Sequence, residues 1–482
     1  MFQKAKQVLW FLIPLVCAIS LIIIVACFDQ IEEGYQLVAV MPVLYGVMFM
    51  LFYNWIFRTD YTITVTLYFG FQFLRLVVMP AAIALAGEKV SSYLGVHSDT
   101  VRLATGLMLI EFFAVSLYVI IRAQKKIYKL RTERPTLAGN AIAYILFAML
   151  AVAAYLYFKS RGINLVNFIA LAAGEGERQG DSTDTLTSLA TAIVTLAISF
   201  IFLLIVDHNQ RRYSLQKRNQ YSNRAIFAAM LVVCIIVGER RSAQIYSAIT
   251  TCYILMLAFP EKKKRIVLLV AGVAAAVFAF MSIYKMFAVF VHDSYAEALE
   301  NAEWSVADFA SLLQSYFAGP ENISLAVEFG EASNLKIEQA FFDFARSTVP
   351  ISFLMKSHGT VTSVLMNNYI YAGEQDAGHV LSATGYGYIF GGALLCWVPM
   401  LLNMAIAFFA EKQFRAAKSY EGIYIWLTVM LRFALNISAN TPALVSAATN
   451  YLFTSGVALG AAIFVRKVVT RDANPHFVLR DH

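Results

Sequence analysis

The chain has 482 residues, of which 59% are hydrophobic and only 14% are charged, and its formal net charge is +7. A soluble domain carries roughly 25% charged residues, so this composition excludes an ordinary globular protein. Apolar runs near the roughly 20 residues that cross a bilayer recur from end to end. The sequence therefore predicts a multi-pass membrane protein, with the lipid bilayer as its surroundings and no nucleic acid as a partner.

The apolar runs predict an all-α, polytopic transmembrane bundle of about twelve spans. With both termini in the cytoplasm, most lysines and arginines fall in inner loops and most acidic residues fall outside, as the positive-inside rule requires. Reversing the orientation would violate that rule at nearly every loop. The predicted spans are residues 8–28, 36–56, 62–85, 103–121, 137–158, 187–206, 225–238, 243–260, 266–290, 382–409, 421–440 and 443–465.

Ionisable residues inside the early spans come first along the chain. Arg75 lies in the third predicted span and Glu111 in the fourth. Ions within a membrane normally face the protein interior and find partners there. These two residues therefore form a candidate structural ion pair.

The seventh predicted span is unusually short. Between Arg224 and Glu239 lie about 14 residues, which extend about 21 Å as a helix, whereas the hydrocarbon core is about 30 Å thick. The charged sequence Gly238-Glu239-Arg240-Arg241 follows at once. Adjacent arginines suit bidentate recognition of phosphate oxygens. We expect Arg240 and Arg241 to bind an anionic headgroup; the alternative is a simple turn in which Glu239 pairs with one arginine.

Residues 291–381 form a long outer region that is too long for a structureless turn. Aromatic and leucine residues recur in it at helical spacing, which predicts a structured extracytoplasmic loop with amphipathic helices. A plug with only a packing role is the alternative. The domain division that follows is 1–290 for spans one to nine, 291–381 for the loop, and 382–482 for the last spans and a cytoplasmic tail.

Several residues in and after this loop could serve chemistry on an anionic substrate. Arg346 follows an aromatic stretch and could bind phosphate, although an ion pair with Asp343 three residues earlier is equally compatible. Arg432, inside the eleventh predicted span, could also help to hold a phosphate. The candidate proton acceptors are His358, Glu374 and His379, of which the histidines need little pKa adjustment to act near neutral pH. Each could equally be a solvated loop residue.

Small residues lead into the tenth predicted span, in Ser382-Ala383-Thr384-Gly385-Tyr386-Gly387. They permit close backbone approach, and tight helix packing explains them equally well. The five cysteines lie within or beside apolar runs, without a C-x-x-C motif or a histidine cluster. The sequence thus indicates neither a disulfide framework nor a zinc site.

Together these features resemble a known family. An apolar span ending in Gly238-x-Arg240, a long outer loop and a glycine-rich start of a late span are similar to those of the Wzy-type polymerases of O-antigen and enterobacterial common antigen. The loop also contains a segment resembling the family's Pro-x-Glu-Asn sequence, here Gly319-Pro320-Glu321-Asn322, and Val349-Pro350-Ile351-Ser352 resembles its Ile-Pro-Ser sequence. The resemblance covers roughly residues 225–410.

This resemblance implies a metal-independent glycosyltransferase of the GT-C type in the bacterial inner membrane. Its donor and acceptor would be undecaprenyl-diphosphate-linked oligosaccharides, polymerised on the outer face for lipopolysaccharide, capsule or exopolysaccharide. A chain-length regulator and a flippase are the implied partners. Arg240 and Arg241, with Arg346, would bind the donor diphosphate, and His358 or Glu374 would accept the proton of the acceptor hydroxyl.

Two other functions remain open on the sequence. A flippase or transporter for lipid-linked oligosaccharide would share the spans and a cationic cavity, but no internal repeat is evident and the polar features gather on one face. An O-antigen ligase would share the bundle and the outer arginines, and sequence separates it poorly from a polymerase.

Overall fold

The structure is a computed structural model that describes most of the chain. The described residues are 2–56, 63–89, 96–124, 134–169, 171, 185–237, 241–287, 289, 292–300, 305–355, 358–372 and 379–473. Most of these residues are helical, and two short strands among them form an antiparallel sheet. The predicted all-α class is therefore confirmed.

The chain divides into two compact units. Unit 1 comprises Met1–Tyr128, Glu303–Lys412 and Met430–Thr449, and unit 2 comprises Lys129–Ala302, Gln413–Val429 and Asn450–His482. The boundaries of these units differ from those of the three regions predicted from the sequence. Helices of the long loop pack against helices of the N-terminal region, so parts of both regions lie in unit 1.

The first five helices belong to unit 1. A five-residue π-helical turn, Leu74–Val78, separates the third from the fourth. The helices are α1 Phe2–Ala26, α2 Val40–Ile56, α3 Ile63–Phe73, α4 Met79–Ala86 and α5 Ser98–Gln124.

The next elements belong to unit 2. Two short strands pair antiparallel, with Val166 opposite Val237 and Phe168 opposite Ile235. The elements are α6 Ala141–Ser160, β1 Val166–Phe168, α7 Thr185–Gln216, α8 Asn219–Cys234, β2 Ile235–Val237, α9 Arg241–Ala258, α10 Lys263–Met286 and α11 Tyr295–Glu300.

The long loop is helical over most of its described length, as the spacing of its apolar residues predicts. α12 packs against α4, and α13 packs against α5 and α17. On α12 the buried residues are Ala310, Leu313 and Gln314, whereas Phe309 and Tyr316 are exposed. The elements from here to the C-terminus are α12 Val306–Phe317, α13 Pro320–Ser333, α14 Ile337–Ser347, α15 Ile351–Met355, α16 Thr362–Ile370, α17 Ala383–Leu395, α18 Val398–Ala416, α19 Tyr420–Leu435 and α20 Thr441–Ala473.

Eight of the described helical segments are long and apolar enough to cross a membrane, which makes the chain a multi-pass membrane protein. A ninth span results if α17 and α18, which meet at an angle of 110°, count as one. The predicted spans 225–238, 243–260 and 421–440 correspond to the shorter α8, α9 and α19. The eight segments are Gln7–Ala26, Gln36–Ile56, Ile63–Ala86, Ser98–Arg122, Ala141–Ser160, Leu189–Gln216, Pro260–Tyr284 and Thr441–Val468.

Several contacts join helix ends that the sequence places on the same side of the membrane. At ends predicted to be inner, the Tyr213 hydroxyl donates to Glu261 at 2.8 Å within unit 2. At ends predicted to be outer, β1 pairs with β2, and the His97 amide donates to Glu328 at 3.0 Å within unit 1. Each contact joins segments that the sequence places on the same side.

Candidate functional site

The helical path breaks where the sequence predicts a shortened seventh span. α8 ends at Cys234, and its 16 residues extend only about 24 Å at 1.5 Å per residue. The chain then becomes extended as β2 and pairs with β1. The predicted early end of this helix is confirmed.

The first turn of α9 lies against the end of α8. α9 begins at Arg241, and the Gln244 side-chain nitrogen donates to the Ile235 carbonyl at 3.0 Å. Because this bond spans the break, the start of α9 lies beside the start of β2. Glu239 and Arg240 lie outside the described residues, and for Arg241 only its place at the start of α9 is described.

Arg75 and Glu111 form the ion pair that the sequence suggests. Their side chains are fully buried, with Nη1 of Arg75 2.5 Å from Oε1 of Glu111. Arg75 also donates through Nε and Nη2 to the Ala318 carbonyl at 3.3 and 3.1 Å, and the Thr384 hydroxyl donates to Glu111. Four separate elements of unit 1 thus meet at one buried charge pair.

The Pro-Glu-Asn segment begins α13 directly beside this pair. Ala318 ends α12 in the left-handed conformation at φ 49°, and Pro320 occupies the first turn of α13, where its missing N–H costs nothing. The Glu321 amide donates to Gln314 Oε1 at 3.0 Å, and Gln314 Nε2 donates back to Glu321 at 3.2 Å. The corner between α12 and α13 is therefore held by reciprocal bonds.

The glycine-rich start of α17 packs against the same corner. Ser382 caps α17 by accepting from the Gly385 amide at 3.0 Å. A Cβ at Gly385 would collide with the Ala326 side chain of α13, and Asn322 donates to the Val380 carbonyl at 3.1 Å. Close helix packing is thus the role that these contacts give to Gly385.

Asp343 is a buried carboxylate that the sequence treats only as a partner for Arg346. It is 1% exposed and accepts from Gln339 Nε2 at 3.2 Å, from the Thr362 amide at 3.1 Å and from the Tyr386 hydroxyl at 3.1 Å. Among the described residues this carboxylate accepts from these three donors and forms no ion pair with Arg346. Arg346 is half-buried in the last turn of α14.

His379 lies in a defined polar setting. Its Nδ1 is 2.7 Å from the Tyr371 hydroxyl, and its carbonyl accepts from Asn367 Nδ2 at 3.2 Å. Burial lowers the pKa of the imidazole, which keeps the ring neutral near pH 7. In the tautomer in which Nδ1–H donates to Tyr371, Nε2 can accept a proton. Glu374 lies outside the described residues.

The remaining candidates are distributed over unit 1. His358 is exposed after α15, and its amide donates to the Met355 carbonyl at 3.2 Å. Arg432 is half-buried near the end of α19, where its carbonyl accepts from the Asn436 side chain at 3.0 Å. Arg346 and His379 also belong to unit 1, whereas Arg241 belongs to unit 2.

Sequence reasoning missed Glu321 and Asp343 as members of buried polar networks and Tyr371 as the half-buried partner of His379. One signal was available for Asp343, which is a lone acid among Phe341, Phe342 and Phe344. An acid in such a stretch is costly to bury unless donors surround it. The donor Tyr386 comes from a distant helix, so its identity required the fold.

Comparisons with protein-family models, with curated protein sequences and with solved structures find no match to this chain.

Proposed function

We propose that the chain is an integral-membrane glycosyltransferase that polymerises undecaprenyl-diphosphate-linked oligosaccharide repeat units into a surface polysaccharide. In this proposal it has about twelve spans in a GT-C-like arrangement, with both termini in the cytoplasm of a bacterium. The reaction takes place at the outer face of the inner membrane and needs neither metal nor cofactor.

The observation that carries the proposal is the convergence of segments that carry the family resemblance. The Pro-Glu-Asn corner at Pro320 and the glycine-rich start of α17 lie about 60 residues apart in sequence, yet they pack directly, since Gly385 abuts Ala326. Tyr386 of α17 bonds to Asp343, which belongs to the helix that precedes the Val349-Pro350-Ile351-Ser352 sequence. Two matches that pack directly, with the third beginning just after a helix that bonds to one of them, support the resemblance more strongly than scattered ones.

The chemistry assigned to the donor side rests on arginine. The acceptor hydroxyl attacks the anomeric carbon of the donor sugar, the bond from that carbon to the diphosphate oxygen breaks, and negative charge develops on the leaving diphosphate. Arg240 and Arg241 stabilise this charge, and the sequence offers Arg346 and Arg432 as further candidate cations. Diphosphate leaves readily, so no general acid is required.

Of the candidate bases, the described geometry favours His379. The Tyr371 oxygen orients its ring at Nδ1, and the lowered pKa keeps Nε2 available to take the acceptor proton at neutral pH. His358 is exposed and has ordinary access to water. Glu374 remains a candidate from the sequence.

The test is the length ladder of surface glycan in a deletion strain and in complemented strains. Deletion should leave single repeat units on the final acceptor and remove long chains. Arg240→Ala should reproduce that loss at normal protein abundance, because the donor diphosphate loses its cation.

Arg102→Ala is the matched control, since Arg102 is an exposed arginine in a pair with Asp99, and it should keep the full ladder. Unchanged chain length in Arg240→Ala would contradict the donor role. A ladder retained on the carrier lipid but absent from lipid A would indicate a ligase, and repeat units held in the inner leaflet would indicate a flippase.

A further inference from the structure

An apolar groove runs along unit 2 between α6, α7 and α8. Its cavity volume is about 380 Å³, within the range of about 300–1,000 Å³ typical of ligand pockets. Fifteen residues line it, and Tyr155 is the one among them with a polar side chain. The groove can therefore hold a hydrocarbon but not a sugar or a peptide backbone.

Small side chains on three facing helices create the groove. Ala151 of α6, Ala197 of α7 and Ala228 of α8 all line it and leave space where larger residues would interlock. Along α7 the lining extends from Val194 to Ile205, which is about 16 Å at 1.5 Å per residue. This length corresponds to about half of a 30 Å hydrocarbon core, or one leaflet.

One end of the groove carries positive charge. Tyr155 lies towards the C-terminal end of α6, and the Lys159 ammonium stands 5.6 Å from the centroid of its ring. Two residues further, just after α6, the Arg161 guanidinium lies 4.5 Å from the ring centroid of Tyr157. Both cations are exposed and follow the helix out of the groove.

The same end adjoins the break after α8. Val166 of β1 and Ile235 of β2 line the groove, and the Ile235 carbonyl accepts from Gln244 in the first turn of α9. The charged end thus coincides with the place where the chain leaves its helical path.

We propose that this groove seats the part of the donor lipid's isoprenoid chain that is next to the diphosphate, with the diphosphate at the end marked by Lys159. The inference rests on the proposed function and adds the position of the lipid to it. The apolar lining suits a hydrocarbon chain, and the exposed Lys159 and Arg161 at the end that adjoins the break after α8 suit an anionic head.

The test is photo-crosslinking of the full chain in nanodiscs of phosphatidylethanolamine and phosphatidylglycerol. The probe is undecaprenyl diphosphate with a photoreactive group in its chain, and labelled peptides are identified by mass spectrometry. Peptides from α6, α7 or α8 should be labelled, and unlabelled undecaprenyl diphosphate should compete. Labelling confined to other helices, or equal labelling by photoreactive phosphatidylglycerol, would overturn the proposal.

Matched variants locate the chain within the groove. Ala151→Phe fills the groove and should lower crosslinking at least tenfold, whereas Ala153→Phe on the exposed side of the same helix should leave it unchanged. Equal crosslinking in the two variants would contradict the assignment.

Lys159→Glu tests the charged end of the groove. Because the Lys159 side chain is exposed, this substitution should not disturb the packing of the core. It should weaken labelling by the diphosphate probe several-fold but not labelling by photoreactive undecaprenol, which lacks the charge. Equal effects on both probes would remove the role of Lys159.

The outcomes separate this inference from the proposed function, because crosslinking requires binding and not catalysis. A labelled groove together with a normal glycan ladder in the deletion strain would keep the lipid site and reject the polymerase. A lost ladder together with an unlabelled groove would do the reverse.

Discussion

Arg75 and Glu111 illustrate how a membrane protein keeps charge in its interior. Burial removes water from both ions, and the attraction between them offsets that penalty only when additional hydrogen bonds satisfy the remaining atoms. Here the Ala318 carbonyl and the Thr384 hydroxyl supply those bonds. The pair therefore stabilises the corner at Ala318 as long as both ions are present.

Removing either ion should destabilise unit 1. Arg75→Met leaves Glu111 buried without its cation, and Glu111→Gln leaves Arg75 without its anion, so each should lower the free energy of unfolding by about 3–5 kcal/mol. Denaturation of the purified protein in detergent measures the effect. The double variant should lose less than the sum of the two single losses, because no lone charge remains.

Arg102→Ala is the control for this experiment as well. Its pair with Asp99 is 3.7 Å long and its side chain is 52% exposed, so the expected change is within about 1 kcal/mol. If Arg75→Met were no more destabilising than Arg102→Ala, the buried pair would have no structural role.

Other carboxylates act as caps for distant helices. Glu411 accepts from the Ile63 and Thr64 amides at 3.2 and 3.3 Å, and Glu421 accepts from the Ala138 amide at 2.9 Å. Glu411 accepts from amides of the first turn of α3, which have no partner within the helix, and Glu421 accepts from an amide in the segment before α6. Sequence reasoning could not assign these roles, since nearly 350 residues separate Glu411 from the helix it caps.

Among the elements, the bent pair α17 and α18 departs most from its sequence prediction. Residues 382–409 are predicted as one span, but α17 and α18 meet at 110° across Cys396 and Trp397, and Gly392 within α17 has φ 61°. Glycine adopts this conformation without the steric penalty of a Cβ. The hydrophobic pattern carries no signal for the bend, because both arms are apolar.

The packing of α17 on α13 should be sensitive to a single methyl group. Gly385→Ala places a Cβ against Ala326, and relief of this clash should cost about 1–3 kcal/mol of unfolding free energy. Chemical denaturation of the variant measures that loss.

Gly106→Ala serves as the control, because Gly106 lies in α5 and has no neighbouring atom within 4 Å of its Cβ position. Alanine is the better helix former by up to about 1 kcal/mol, so this variant should be unchanged or slightly more stable. A Gly385→Ala protein as stable as Gly106→Ala would show that the contact is loose.

At the scale of the whole molecule, the alternation of helix ends can be tested by labelling. In a chain without its native cysteines, Asp99→Cys should react with an impermeant maleimide in intact spheroplasts. Lys418→Cys should react only after permeabilisation, because basic loops stay inside. Both positions are exposed.

The chain without cysteines gives the background labelling. If both positions reacted equally before and after permeabilisation, the spheroplasts would not be intact and the assay would have to be repeated. The reverse pattern would invert the orientation. It would also place the Arg240 segment on the cytoplasmic side, against the proposed outer site.

The sequence by itself determined the membrane class, the helical content, the early end of α8 and the pairing of Arg75 with Glu111. These follow from local composition and from the cost of isolated charge in hydrocarbon, which act wherever the residues stand. The tertiary structure decided the donors around Asp343, the angle between α17 and α18 and the apolar groove between α6, α7 and α8. Each of these depends on which distant side chains meet, and local hydrophobicity does not encode that choice.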